Sequence, residues 1–412
     1  MDSKLFLEIR RTIGIIQVYI SVREKIVVKI KQDRIEIAGE DGAAKKQHGL
    51  LGYKVLPNSC KNLRYVAGEG LHFRLTLEEK NISQKGEVFP LEHLNKVTQY
   101  DADYLCQQVP PGNEVLFICA TCGHIVTHSL MFKRVLPLPS ESWQEICGNA
   151  FCHGDKNFTA DALAPKVDDC FISKMDYVLH SSVLNNEPDP SVMKPNPSHC
   201  VYCRRCRSLL GRYKTDKASG KLTNVISLSQ HCVQVKNSGQ PIPSLISDPN
   251  NRRWIENWLA CQLVTTAKEK FCHRFMIMDD TAPNKKYICV WLLCPNMSVM
   301  CNTYLGQNEG SVWQKFTGQS TCEVESEDQP AGLDMFETAK VLYKCESDKD
   351  GEKTFTSWTA DNSVSPLYLQ HRYCLLLLLI LTESTISLPP SLQCSNNFKN
   401  GYLRYTDVKT TQ

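Results

Sequence analysis

Residues 119–123 read CATCG, and residues 203–206 read CRRC. Each CxxC pair places two thiols on one short turn, and a tetrahedral Zn²⁺ needs four such ligands at about 2.3 Å. The two pairs are separated by 80 residues, so one metal ion would join two hairpins that are distant in the chain. The sequence therefore predicts a structural zinc site formed by Cys119, Cys122, Cys203 and Cys206.

The neighbouring residues leave some choice in this ligand set. Cys200 or His199 would be able to replace one thiol, because both lie just before the second pair. A glycine follows each pair, Gly123 and Gly211, and glycine readily adopts the positive φ of a zinc knuckle. The competing interpretation is four unrelated buried cysteines. Four protein ligands would leave no open coordination position, so the predicted zinc is structural and not catalytic.

Charge and cysteine content bound the class of protein. The chain has 412 residues, with 47 Lys and Arg against 44 Asp and Glu. A net charge of +3 gives no electrostatic reason to expect direct nucleic-acid binding or a membrane partner. There are 20 cysteines, but the first residues lack the apolar region of a secretory signal, which favours reduced thiols and metal ligands over disulfides. We therefore expect a cytosolic or nuclear protein.

The residue patterns predict an α+β fold with a β-rich N-terminal half that contains the split zinc site. Residues 13–39 carry β-branched side chains at alternate positions, which is typical of strands, and residues 114–119 form a strand that enters the first CxxC. We predict two domains: a β-rich zinc-containing domain over 1–235, and an α+β domain over 236–400.

The second half combines predicted β-hairpins with two long helices. Asp248-Pro249 is typical of a helix start, and Trp254, Ile255, Trp258 and Leu259 follow at helical spacing. Residues 340–345 and 354–358 are predicted as the two strands of a hairpin, and residues 366–383 as an apolar helix. The tryptophan-containing stripe is either core-facing or a partner-binding face, and the pattern alone leaves both open.

Residues 134–165 form a second constellation, RVLPLPSESWQEICGNAFCHGDKNFTADALAP. The segment contains prolines near its start, Trp143 and the adjacent pair Cys152-His153. It is either a connector anchored by its tryptophan or an extended segment that docks on a partner and offers a thiol to the partner's metal. Adjacency alone does not make Cys152-His153 or Cys272-His273 a catalytic dyad, because neighbours along a strand point to opposite faces.

Seven motifs lie in order between residues 119 and 392: CATCG, RVLPLPSESW, DCFI (169–172), CRRCRSLLG, YICVWLL (287–293), KVLYKC (340–345) and SLPPSL (387–392). Together they resemble the HECT-like ubiquitin-protein ligase family, which binds a cyclin-directed ubiquitin-conjugating enzyme, so the predicted domain over 236–400 is expected to be HECT-like. The second knuckle is also similar, over a shorter stretch, to zinc knuckles of the Yippee type.

The resemblance implies a ligase that accepts ubiquitin from a conjugating enzyme and transfers it to substrate lysines, promoting degradation. HECT-type chemistry needs a cysteine that carries ubiquitin as a thioester. The resemblance identifies no such cysteine here, so the catalytic residue is unknown. It places the conjugating-enzyme contact after the second knuckle, near Trp254, Ile255, Trp258 and Leu259.

The same resemblance implies an alternative from a different class. The family is tied to the zinc-dependent endonuclease that cleaves pre-mRNA 3′ ends. Cys152 and His153 would then reach that nuclease, and the Cys152 thiolate would cap its active-site zinc. The chain would be a zinc-stapled binding protein that inhibits or chaperones the nuclease. We take the ligase as the leading hypothesis, because its resemblance covers more of the chain.

Overall fold

The computed structural model describes residues 4–21, 26–39, 46–78, 109–138, 164–173, 176–185, 200–215, 222–237, 240–241, 252–279, 285–302 and 333–405. In chain order the strands are β1 (Lys4–Arg10), β2 (Ile15–Ser21), β3 (Ile26–Ile30), β4 (Arg34–Gly39), β5 (Lys46–Gly49), β6 (Lys61–Val66), β7 (Gly70–Thr76), β8 (Glu114–Cys119), β9 (Leu130–Met131), β10 (Arg134–Pro137), β11 (Asp169–Ile172), β12 (Asp176–His180), β13 (Cys200–Tyr202), β14 (Leu209–Thr215), β15 (Leu222–Ser229), β16 (Val233–Asn237), β17 (Gln240–Pro241), β18 (Arg274–Asp279), β19 (Lys286–Cys301), β20 (Asp334–Cys345), β21 (Val364–Leu369), β22 (Cys394–Ser395) and β23 (Phe398–Arg404). The helices are α1 (Arg252–Lys270), α2 (Gly351–Thr359), α3 (His371–Ile386) and α4 (Pro390–Gln393). The described part of the chain is rich in strands, which confirms the β-rich N-terminal half of the predicted α+β fold.

The chain forms two compact units. The first contains Met1–Val97 and Ile255–Gln412, and the second contains Thr98–Trp254. In the first unit β1 lies between β2 and β19, so that Leu7 pairs with both Val18 and Met300. This pairing places N-terminal and C-terminal strands in one sheet. The compact units therefore divide the chain differently from the predicted boundary between residues 235 and 236.

The first unit is built on a ten-stranded sheet. Its main path runs β22-β23-β20-β19-β1-β2-β7-β6, and β18 pairs with β19 on one side and with β21 on the other. One face of β1 presents Leu5, Leu7 and Ile9, which share a buried cluster with Ile35 and Ile37 of the three-stranded sheet β3-β4-β5. The strands predicted from the alternating pattern of residues 13–39 are thus confirmed in β2, β3 and β4.

Two expectations for the second half were wrong. Residues 354–358 belong to helix α2, because Phe355 and Trp358 lie one helical turn apart and are both buried. The apolar helix begins at His371, not at 366, because Pro366 belongs to β21 and pairs with Met276 of the parallel strand β18.

Among the described helices, none combines the length and the apolar character of a membrane span.

The second unit positions the cysteine pairs. A six-stranded sheet has the order β10-β11-β12-β15-β14-β13, and a four-stranded sheet has the order β17-β16-β8-β9. The first CxxC begins at the last residue of β8, whose Cys119 pairs with Val233 of β16. The second lies in the connection between the antiparallel strands β13 and β14. Each pair is therefore held at the end of a strand.

Candidate metal centre

The first knuckle is a tight turn at the end of β8. The Gly123 N–H donates to the carbonyl of Cys119 at 2.8 Å, and the Cys119 N–H donates to the carbonyl of His124 at 2.8 Å. Gly123 has a φ of 70°, a conformation that costs an ordinary L-residue about 1–2 kcal/mol. The predicted role of Gly123 as the turn residue is confirmed.

The second knuckle repeats this geometry without a glycine. The Arg207 N–H donates to the carbonyl of Cys203 at 2.9 Å, and the Cys203 N–H donates to the carbonyl of Ser208 at 2.8 Å. Arg207 has the positive φ, 61°, so the prediction that Gly211 plays this part was wrong. The sequence did contain a signal for this residue. Arg207 follows Cys203 by four positions, just as Gly123 follows Cys119, so the equal spacing identifies the position of positive φ.

Gly211 has a different structural role. It lies in β14, where an added Cβ atom would stand 1.9 Å from the carbonyl oxygen of Ser227 on the neighbouring strand β15. No side chain fits in that space. Gly211 therefore permits the close approach of β14 and β15. It affects the second knuckle only indirectly, because β14 is the strand that follows this knuckle.

The four thiols converge as the sequence predicts. Cys119 Sγ lies 3.6 Å from Cys206 Sγ, and Cys122 Sγ lies 3.6 Å from Cys203 Sγ. All four sulfur atoms lie within 4.8 Å of one another. Ligands at about 2.3 Å on a tetrahedron are about 3.8 Å apart, whereas a disulfide bond measures about 2.05 Å. The arrangement fits a metal ion. Cys200 and His199 were the two alternative ligands. Cys200 lies outside the cluster, and His199 lies outside the described residues.

The electrostatics of the thiols also suit a cation. Burial raises the pKa of Cys119 to about 12, against the effect of the backbone N–H groups of Cys122 and Thr121. Burial acts in the same direction on Cys206, but hydrogen bonds with the side chain and backbone of Ser208 prevail and lower its pKa to about 6. Four neighbouring thiols cannot all ionise without a positive charge between them. A divalent metal ion supplies that charge, and backbone N–H groups are already directed at the sulfur atoms.

The residues predicted to bind a conjugating enzyme lie in helix α1. Ile255, Trp258 and Leu259 are buried, and the ring of Trp258 lies 5.2 Å from the ring of Tyr373 on α3. The side chain of Trp254 is not among the described groups. This burial favours the core-facing interpretation of the stripe, so partner binding by these four residues stays a prediction.

The remaining described thiols range from fully buried through half-buried to exposed. Cys289 and Cys374 are fully buried, and burial raises the pKa of each to about 12. Because the thiolate is the nucleophile, these two cysteines are poor candidates for an acceptor of ubiquitin. Cys60 and Cys394 are exposed. The catalytic cysteine stays unassigned.

The segment predicted to block a nuclease is described only at its start. Arg134 on β10 forms a two-pronged ion pair with Asp169 on β11, at 2.7 and 2.6 Å, and this pair lowers the pKa of Asp169. The described start of the segment is therefore an anchored strand. Cys152 and His153 lie outside the described residues, so the nuclease-blocking role stays a prediction.

Comparison with known proteins identifies the family. The family described as HECT-like ubiquitin-conjugating enzyme (E2)-binding matches residues 8–400. The chain belongs to this family. The match covers both compact units, including the four cysteines, and it confirms the resemblance drawn from the motifs.

Curated relatives align over most of their length. An E3 ubiquitin-protein ligase of Mus musculus is 27% identical over 415 residues, which covers 98% of each chain. The ligases of the same name from Pongo abelii and Homo sapiens are 29% and 28% identical, each covering 85% of this chain and 84% of the relative. No solved structure matches the chain.

Proposed function

We propose that this protein is a ubiquitin-protein ligase, which binds a ubiquitin-conjugating enzyme and directs ubiquitin to lysines of substrates marked for degradation. The observation that carries the proposal is the family match over residues 8–400, since that family is defined by binding to the conjugating enzyme. The relatives named as ubiquitin-protein ligases support it, because the alignments cover 84% or more of each relative and 98% of the one from Mus musculus. We place the activity in the cytosol or nucleus, where free thiols persist.

Zn²⁺ held by Cys119, Cys122, Cys203 and Cys206 is part of the proposal. Four thiolate ligands saturate a tetrahedral ion, so the metal would supply a cross-link between two knuckles and no reactive position. The support is the donor set, with sulfur atoms at spacings suited to a metal and N–H groups directed at them. The bound Zn²⁺ is expected to stabilise the second unit.

Transfer through the ligase would require a thiolate that attacks the thioester carbonyl of the loaded conjugating enzyme. The new carbon–sulfur bond forms on the ligase, and the conjugating enzyme's cysteine leaves as a thiolate. Cys289 and Cys374 do not suit this step, because they are buried and protonated. Transfer without this intermediate would pass ubiquitin directly from the conjugating enzyme to lysine.

The decisive experiment mixes the full chain with a ubiquitin-loaded conjugating enzyme. We expect a complex on size-exclusion chromatography and faster loss of ubiquitin from the conjugating enzyme when lysine is added. A ubiquitin adduct of the chain on non-reducing gels, sensitive to thiol, would indicate the thioester route. Binding without faster discharge would reject the ligase activity, and failure to bind would reject the proposal as a whole.

A further inference from the structure

Three polar side chains, of which only Tyr287 belongs to a motif named above, meet in the first unit. Asp279 is the last residue of β18, Tyr287 lies at the start of the neighbouring strand β19, and His371 is the first residue of α3. The sheet order explains the meeting, because β18 has β19 on one side and β21 on the other, and β21 leads through Gln370 into α3. The fold thus assembles a carboxylate, a phenol and an imidazole.

Hydrogen bonds order these groups into a chain. The Tyr287 hydroxyl donates to Asp279 Oδ2 at 3.3 Å, and the same hydroxyl contacts His371 Nδ1. Nδ1 lies 3.8 Å from that carboxylate oxygen. Because the phenolic proton points to the carboxylate, the phenolic oxygen accepts the proton of Nδ1–H. The other ring nitrogen, Nε2, then carries a lone pair and is the basic atom.

Burial distinguishes the two ends of the chain of hydrogen bonds. The Asp279 side chain is only 5% exposed, whereas the His371 side chain is 52% exposed. A buried carboxylate behind an exposed imidazole stabilises the imidazolium that forms when the ring accepts a proton from outside. This arrangement suits proton transfer with a partner molecule at the surface.

Another charged group, Lys285, faces the same cluster. Lys285 Nζ lies 5.2 Å from the centre of the Tyr287 ring, and Arg372 is the next residue after His371 in the sequence. Burial raises the pKa of Tyr287, against the effect of Lys285, so the phenol keeps the proton that it donates. One helical turn beyond His371, Cys374 is fully buried, with its thiol directed at backbone carbonyls. His371 is therefore the exposed base of the cluster.

We propose that His371 accepts the proton of the attacking lysine during ubiquitin transfer, with Tyr287 and Asp279 as positioning residues; this inference rests on the proposed ligase function. A lysine amine has a pKa of about 10.4 and is almost entirely protonated at neutral pH, so it needs a base before it can attack. The lysine ammonium gives its proton to Nε2 of His371. The amine nitrogen then bonds to the thioester carbonyl carbon of ubiquitin and the carbon–sulfur bond breaks. The cysteine leaves as a thiolate and takes up the second proton that the nitrogen releases as the amide forms.

The test measures single-turnover discharge of a ubiquitin-loaded conjugating enzyme to free lysine, with the full chain present, from about pH 6 to about pH 9, a range that brackets the ordinary pKa of an imidazole. His371→Asn should reduce the rate at least about tenfold at neutral pH, since a positioned general base contributes about 10² or more. It should also remove the inflection that the imidazole gives to the pH profile. His371→Ala should recover rate when free imidazole is added. His273→Ala, at another exposed histidine, is the matched control and should retain the wild-type rate.

Further variants distinguish a proton-transfer role of His371 from a purely structural role. Tyr287→Phe should lower the rate but keep the inflection, because the imidazole remains. If the wild type accelerates discharge and His371→Asn has the same rate and pH profile, the inference is overturned. It is also overturned if His371→Asn lowers thermal stability and rate together without altering the profile and imidazole restores nothing. Failure of the wild type itself to accelerate discharge would instead reject the proposed ligase activity.

Discussion

Glu256 on α1 and Arg404 on β23 form an ion pair inside the first unit. Arg404 donates from Nη2 and Nε to Glu256 Oε2 at 3.1 and 3.2 Å, and its backbone N–H donates to Oε1 at 2.8 Å. Glu256 is 3% exposed and Arg404 is 9% exposed. The pair therefore connects the start of a long helix to the C-terminal strand through charges that water does not screen.

Glu256→Gln should destabilise the protein strongly. The variant keeps the shape of the side chain but removes the negative charge that Glu256 places against the buried guanidinium of Arg404. Breaking one side of a buried ion pair costs about 3–5 kcal/mol. The free energy of unfolding, measured by urea denaturation followed by tryptophan fluorescence, should fall by this amount.

The double variant Glu256→Leu/Arg404→Met is the control for this pair. Removing both charges leaves no unpaired ion, so the double variant should be more stable than Glu256→Gln. A loss below about 1 kcal/mol for Glu256→Gln would be typical of an exposed pair. Such a result would contradict the burial of these two groups.

Metal removal should act on the second unit. Purified protein is expected to contain one Zn²⁺ per chain by elemental analysis, and Cys203→Ser should remove it and lower the melting temperature. A chelator should have the same effect on the wild type. The reason is that binding energy of a structural zinc contributes directly to folding.

Cys200→Ser is the matched control for the metal site. Cys200 is close to the second knuckle in sequence and is half-buried, but it lies outside the four-sulfur cluster. We expect this variant to keep its zinc and its melting temperature. Loss of zinc in Cys200→Ser together with retention in Cys203→Ser would mean that the ligand set is wrong.

Local pattern explains which parts of the fold were predictable. The alternating β-branched residues of 13–39 predict strands correctly because one face of each strand packs against the core and the period of two is repeated. The run of residues 354–358 is too short to separate a period of two from a helical period. Phe355 and Trp358 pack against Met276 and Cys289, and this tertiary contact selects the helix.

Contacts between residues far apart in the sequence explain which parts of the fold and of the candidate site were not predictable. The CxxC spacing predicts the four-cysteine cluster because each turn fixes two ligands by itself. Tyr287 and His371 lie 84 residues apart, and neither has a neighbour in sequence that indicates the other. Their contact depends on the parallel pairing of β18 with β21, which the sequence does not reveal.

The two glycines near the cysteine pairs should respond differently to substitution. Gly123→Ala adds a methyl group into open space but at a φ of 70°, so it should cost about 1–2 kcal/mol. Gly211→Ala places the methyl group 1.9 Å from the Ser227 carbonyl oxygen and should cost more, because β14 and β15 must separate. Melting temperatures of the two variants test this order. Equal losses would indicate that strand proximity is not what Gly211 provides.

His48 on β5 should make stability depend on pH. The side chain is buried, and neither ring nitrogen has a hydrogen-bond partner among the described residues. Burial lowers the pKa of His48, and nearby Lys46 lowers it further. The unfolded chain therefore binds a proton first, so the stabilising contribution is present above a pH of about 6.5 and is lost as the pH falls below it. His48→Phe should make the free energy of unfolding depend less on pH between about pH 7.5 and about pH 5. His128→Gln, at an exposed histidine, is the control and should keep the pH dependence of the wild type. Equal slopes in His48→Phe and the wild type would show that His48 is not held neutral in the folded protein.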